Sequence, residues 1–401
     1  MWASTTSRNT LQSIAVALND PRFFVGNQAR FSMEDISAFI ATKILAHNQM
    51  MSDLMSQIAF ITGQRDWVNW TGGSPTVFRP KAEGNRPALQ DGGFAPQISG
   101  ALLRSDEAAF GWTEEAGRML PGPQFMQKVQ DILDGDKYRI ISDILRRLMV
   151  PTAEAGTDYR TDNRVITSLG LANGDSWIYP RGLYGKAVSG SHNHYNFIAG
   201  GALAAGDLDA LILDVREHSY PSVEIWCSPT DEGVFTGISG FVPAQYDGTI
   251  PAENTLRIDP ALPKRTQEDQ SSTGKVFIGR YKGVNIYSLW WWPANYLYCQ
   301  PTNLAPDAKP LAVRVFSNDY TVGSGIELLG NMTDANGVMR PGVGDLKVVS
   351  SNGTSFFTIF DVRHFEREIG LGTRNRTGAA ILSLAAGGAY VAPDISAIIV
   401  N

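Results

Sequence analysis

His192-Asn193-His194 is a first place to look for chemistry. Two imidazoles two residues apart share one face of a strand, and together they can hold a metal ion. No second pair and no acidic ligand stands at a recognised spacing, so a polar turn is preferred and no metal site is expected. The letters HNH do not make a nuclease, whose motif spreads those residues over a finger. Trp290-Trp291-Trp292 can stack on bases or sugars, but single-strand sites interleave such rings with basic residues. Here Pro293, Ala294, Asn295 and Tyr296 follow, without Lys or Arg, so core or subunit interface is the reading. The two cysteines, Cys227 and Cys299, form no CxxC. Cys227 closes an apolar strand-like run, where burial raises a thiol's pKa and silences it.

Phosphate loops fail on spacing. Thr273-Gly274-Lys275 ends like a Walker motif, but Asp269 stands where the first glycine must be. Gly370-Leu371-Gly372 lacks a third glycine, since Asn375 occupies that place. There is no GxSxG elbow, and Glu114-Glu115 at a helix start serves the helix dipole. No catalytic residue and no cofactor is therefore assigned. The densest charge group is Arg363, Arg367, Arg374 and Arg376 with Glu366 and Glu368. Its mixed signs favour salt bridges across a subunit contact, or a solvated turn, over a nucleic-acid patch.

The elements that position these residues alternate between helical and extended. Ile36, Ile40, Ile44, Met51, Leu54, Met55 and Ile58 recur at helical spacing and predict a helix over 33–58, with Ser32 as its cap. His47 lies between turns of that stripe and reads as tolerated there. A second helix is predicted over 122–149, after Pro121-Gly122-Pro123, with a kink or break at Gly135-Asp136. Between them, 61–111 is punctuated by Gly and Pro, with strand pieces at Thr76–Arg79 and Gln97–Leu103. It reads as an extended hairpin that needs a partner surface, because two strands alone are marginal in water. An α/β block follows, with helices at Phe197–Ala204, Leu208–His218 and Glu232–Ile238. Its strands are Val223–Cys227, a hairpin of Lys275–Arg280 with Val284–Trp290, and Leu311–Phe316. Two long strands, Thr354–Glu366 and Thr377–Val391, flank the charged stretch Arg367–Arg376. A short helix is expected near 10–18.

Composition sets the class. With 401 residues, 43% hydrophobic and 18% charged, the chain can form two or three cores and is not disordered. A net charge of −6 with no basic cluster argues against specific DNA binding. No stretch approaches the roughly 18 apolar residues that span a bilayer, and no signal peptide is read at the N-terminus.

The order of elements is arm with helix, extended hairpin, long helix, α/β block, then two strands. It resembles the major capsid proteins of tailed bacteriophages, whose α+β Hong-Kong-97-type fold encapsulins share. Local sequence carries the same resemblance. Ala108–Thr113 resembles the return strand of the extended loop. Phe277–Ile286 resembles the family's I-G-x-x-x-G-V-x-V hairpin. His364–Arg376 and Ala389–Pro393 resemble the last strands of the peripheral domain. The similarity covers about residues 30–395.

The resemblance implies an N-terminal arm at 1–60 and an extended loop at 61–111. It implies a peripheral domain at 112–190 and 346–401 with spine helix 122–149, and an axial domain at 191–345. Copies are expected to form hexamers and pentamers of an icosahedral virion shell, assembled in the host cytoplasm. That shell encloses double-stranded DNA, with scaffolding, portal and decoration proteins as partners and no membrane. Arg79, Lys81, Arg86 and Arg104 in the loop, with Arg363, Glu366, Arg367, Arg374 and Arg376, are the expected inter-subunit contacts. Some relatives crosslink a loop lysine to an asparagine. Lys81 and Asn375 would be the pair, but no catalytic glutamate can be assigned, so none is expected. Three other readings compete: an encapsulin-like nanocompartment shell, another phage structural protein of the tail, and a β-rich carbohydrate-active enzyme.

Overall fold

Apolar residues every three or four positions build the two long helices, and β-branched runs build the sheets. The computed structural model describes residues 33–70, 96–113, 122–158, 163–175, 191–200, 202–246, 264–265, 274–302, 309–315, 332–333, 339–340, 344–350, 360–385 and 387–395. The expected helix near 10–18 and the strand Thr76–Arg79 lie outside these residues.

The elements begin with α1 (Met33–Ile58), β1 (Ala59–Thr62), β2 (Asp66–Trp70), β3 (Pro96–Gly100), β4 (Arg104–Thr113) and α2 (Gly122–Met149). Next come β5 (Glu154–Asp158), β6 (Arg164–Ser168), β7 (Tyr195–Phe197), α3 (Ala205–Arg216) and β8 (Val223–Cys227). A 3-10 turn (Pro229–Phe235), β9 (Phe241–Pro243), β10 (Gln245–Tyr246), β11 (Lys264–Arg265), β12 (Lys275–Tyr281) and β13 (Val284–Leu289) follow. The rest are β14 (Tyr296–Pro301), β15 (Leu311–Val315), β16 (Met332–Thr333), β17 (Met339–Arg340), β18 (Lys347–Ser350), β19 (Phe360–Thr373) and β20 (Ala380–Ser383). Both long helices fall where periodicity placed them. Gly135 does not break α2, which runs on through Asp136.

The chain divides into two compact units. The first comprises residues 1–52, 104–140 and 315–369. Its core joins Ile40 and Ile44 of α1, Val129 and Leu133 of α2, Leu346, and Phe365 of β19. Each such buried side chain contributes about 1.5–3 kcal/mol. In this unit β19 is flanked by β18 and β4, both antiparallel to it.

The second unit comprises 53–103, 141–314 and 370–401. Its main feature is a seven-stranded sheet in the order β7-β20-β14-β8-β13-β12-β9. The β7–β20 and β8–β13 pairs are parallel. Leu208, Leu211, Ile212 and Val215 of α3 pack with Ile225, Ile286, Leu297 and Leu382 of that sheet. The 3-10 turn is capped by Ser228, whose Oγ accepts from the Thr230 N–H. Elsewhere in the unit β1 pairs in parallel with β15. Antiparallel pairs form between β2 and β3 and between β5 and β6.

Four expectations are corrected. The described residues of Phe197–Ala204 are not helical, since Tyr195–Phe197 is a strand and the helix starts at Ala205. Gly200 and Gly201 disfavour helix, and the Asp207 carboxylate accepts from the Ala204 N–H at 2.9 Å, fixing the later start. Of Glu232–Ile238, only residues 232–235 are helical, as the end of the 3-10 turn, and Thr236 is already extended. The strand expected to end at Glu366 runs on through the charged stretch to Thr373. Among the described residues of Thr377–Val391, strand is confined to the four-residue β20. Ala385 through Gly388 have poor strand propensity, and the tail is held by a side chain instead, Tyr390 Oη donating to the Met149 carbonyl at 2.8 Å.

Candidate functional site

Arg367 is wholly buried. Its Nε donates to both Asp136 oxygens, at 2.8 and 3.0 Å, its Nη1 to the Gly344 carbonyl and its Nη2 to Asn48 Oδ1. His47 Nε2 lies 2.7 Å from Asp136 Oδ2, and Asn48 exchanges two hydrogen bonds with the Leu346 backbone. Burial raises the Asp136 carboxyl, but Arg367 and then His47 outweigh it and hold it below 3.8. His47, read as merely tolerated, is thus a working part of the first unit's interior.

Arg376 is equally enclosed in the second unit. Its guanidinium donates to the carbonyls of Gly170 and Leu171, to Asn173 Oδ1, and to Asp175 at 2.7 Å. Arg367 and Arg376, expected at a contact with another subunit, are therefore held inside their own chain. A buried guanidinium needs pairing within reach, and both find it there. Arg374 lies over the Phe60 ring at 4.5 Å, and Glu366 accepts from Ser105 Oγ on the surface. Arg104 is half-buried and stands opposite Ile369 in the β4–β19 ladder. Arg363 is paired by its backbone to Ser350 and Phe110. Arg79, Lys81 and Arg86 lie outside the described residues. A buried pair that sequence reasoning missed is Arg314 with Asp158 at 2.5 Å. Nothing in their local sequence signals it, for the partners are 156 positions apart.

The tryptophan run splits. Trp291 and Trp292 are buried beside Trp226 and Tyr298, whereas Trp290 is 48% exposed. Glu224 anchors this cluster, with Oε1 accepting from Trp226 Nε1, Lys275 Nζ and Gln300 Nε2 at 2.6–2.9 Å. Burial lowers the Lys275 ammonium, and Glu224 opposes that. Cys227 and Cys299 are buried free thiols, both raised by burial.

The rejected phosphate-loop glycines have packing reasons. A Cβ on Gly370 or Gly372 would strike the carbonyl of Leu102 or Gly100. Gly274 has φ +71, and a Cβ there would strike the Trp290 ring.

The histidine pair gains a member that spacing did not reveal. His218, just beyond α3, brings its Nε2 to 2.9 Å from that of His192 and 3.1 Å from that of His194. The His192 and His194 Nε2 atoms are themselves 2.6 Å apart. His194 is fully buried, and its Nδ1 faces the Ala379 carbonyl at 2.5 Å. Glu217 Oε1 lies 3.3 Å from His192 Nε2. Burial lowers His192 to about 4, and burial followed by the neighbouring imidazoles takes His194 well below its ordinary value. Both are neutral at pH 7.

No family model and no curated protein matches the chain. Solved structures do. A chain from Mycobacterium phage Patience matches with TM-score 0.63 and 18% identity, covering 91% of this chain and 92% of that one. A chain of the cyanophage A-1(L) capsid asymmetric unit has TM-score 0.45 and 12% identity, covering 92% and 99%. The SrpI encapsulin of Synechococcus elongatus has TM-score 0.42 and 11% identity, covering 95% and 98%. The Patience likeness carries the fold over nearly the whole of both chains, and the α+β capsid-type fold expected from the sequence stands.

Proposed function

We propose that this chain is the major capsid protein of a tailed phage, a structural subunit with no enzymatic role. The observation that carries this is the shared fold with the Patience phage chain along almost the full length of both. The surface of the second unit supports it. Val68 and Ile98 face each other across the β2–β3 pair and are 44% and 60% exposed. Val165 on β6, next to β3, is 69% exposed. Apolar strand faces left in water are surfaces for a partner, and a second copy of the same chain is the partner a shell supplies.

In this reading 1–60 is the arm, 61–111 the extended loop, 112–190 with 346–401 the peripheral domain and 191–345 the axial domain. Copies join as hexamers and pentamers around double-stranded DNA, with scaffolding, portal and decoration proteins as partners, and the chain resides in the virion. Arg79, Lys81, Arg86, Arg104, Arg363, Glu366 and Arg374 serve as polar contacts between copies, setting register more than affinity. Electron microscopy of the purified, overexpressed chain with its neighbouring genes tests the reading. Closed shells are expected. Tubes, rings, or a monomer of the 43.7 kDa chain mass that never assembles would overturn it.

A further inference from the structure

We propose that His192, His194 and His218 form a structural binding site for one divalent transition-metal ion of the zinc type. Their three Nε2 atoms lie 2.6, 2.9 and 3.1 Å apart, all in the second unit. An imidazole Nε2 offers one in-plane position, filled by either a proton or a lone pair. Three such positions converge on one small triangle. A cation takes three lone pairs at once.

The tautomer suits a ligand. His194 Nδ1 donates its proton to the Ala379 carbonyl, which leaves the lone pair on Nε2, aimed at the other two rings. Metal-bound histidines are held in the same way by an outer hydrogen bond. Zinc–nitrogen bonds of about 2.0–2.1 Å set ligand nitrogens about 3.3 Å apart in a tetrahedron. The three rings need open only by tenths of an ångström to admit the ion.

Charge is also provided for. The Glu217 carboxylate stands 3.3 Å from His192 Nε2, and the nearby Arg376 guanidinium is engaged by Asp175 at 2.7 Å. Three nitrogen donors favour zinc, nickel or copper over calcium or magnesium, which take oxygen ligands. His194 is wholly buried and His192 partly so, and the role proposed for the ion is structural. It ties the segment leading into β7 to the end of α3. Through the His194–Ala379 hydrogen bond it also reaches the residue before β20. These elements form the β7 edge of the seven-stranded sheet and the helix that covers the sheet.

The test uses the full-length chain in its native assembly state. It is stripped with chelator, reloaded with zinc chloride, desalted, and measured for metal by mass spectrometry. One zinc per chain is expected, with an unfolding midpoint that rises on reloading. His192→Ala and His218→Ala should lose the zinc and the midpoint shift together. Cobalt(II) loaded in place of zinc should give visible ligand-field absorption in the wild type and none in either variant. A folded wild-type chain that takes up no zinc and shows no cobalt spectrum overturns the proposal, whatever the variants do. So does a folded His218→Ala chain that binds as much as wild type. Shell formation, scored separately by electron microscopy, does not enter either outcome.

Discussion

The chemistry of single residues is decided by what surrounds them, and Asp136 is the clearest case. It neutralises Arg367 and bonds His47 where water is nearly excluded. Asp136→Asn leaves the arginine buried without its counter-charge and should cost about 3–5 kcal/mol at neutral pH, read from denaturant unfolding. The sign of the pH dependence follows. The Asp136 carboxyl is held below 3.8, so its contribution is complete above that value and disappears as pH falls through the folded-state value. Wild type should lose stability over that acidic range, and Asp136→Asn should show a flatter profile there. None of this was legible from sequence. Arg367 belongs by position to a mixed-sign charge group, which reads as surface, and Asp136 lies 231 positions away. His218 escaped for the same reason, since no local period links it to His194, 24 residues earlier. The buried cysteine on β8 was legible, because its neighbours Ile225 and Trp226 already mark an apolar strand.

Elements were read best where their signal is local. The stripes of α1 and α2 repeat over seven turns each and fixed the bounds of both helices. The hairpin of β12 and β13 was equally plain, with Lys282-Gly283 at its turn. Strand β19 was read short because its continuation contains Arg367, Gly370 and Gly372, which a strand interior normally avoids. The reasons it continues are distant in sequence: Asp136 for the arginine, and the backbone at Gly100 to Leu102 for the glycines. Two glycines should therefore respond in opposite ways. Gly372→Ala drives a methyl into the Gly100 carbonyl and should destabilise by about 1–3 kcal/mol. Gly135→Ala, exposed in the middle of α2 with open space around it, should stabilise by about 1 kcal/mol. Thermal unfolding of the two variants beside wild type checks both signs.

At the scale of the whole molecule, the exposed strand faces carry the assembly argument. Val68→Asp with Ile98→Asp places two charges on a face that the subunit itself leaves in water. The double variant should keep the wild-type circular dichroism spectrum yet form no shells under the electron microscope. Normal shells from that variant would remove this face from the contact between copies. The capsid-type architecture was legible as an order of elements, although no single motif carried it. The two-unit division was not, since it depends on which distant strands meet.

Trp67 makes one such meeting: its Nε1 donates to the Thr373 carbonyl, 306 positions further on. The parallel partner of β1 is likewise β15, which starts at Leu311. On the ribosome, at about 5–20 residues per second, the early strands wait roughly 15–60 s for their late partners to be made. During that interval the nascent chain presents unpaired edges and an uncovered indole. A host chaperone acting on unfinished polypeptide, or very low synthesis temperature, should therefore govern the yield of this subunit more strongly than the stability of the finished fold does.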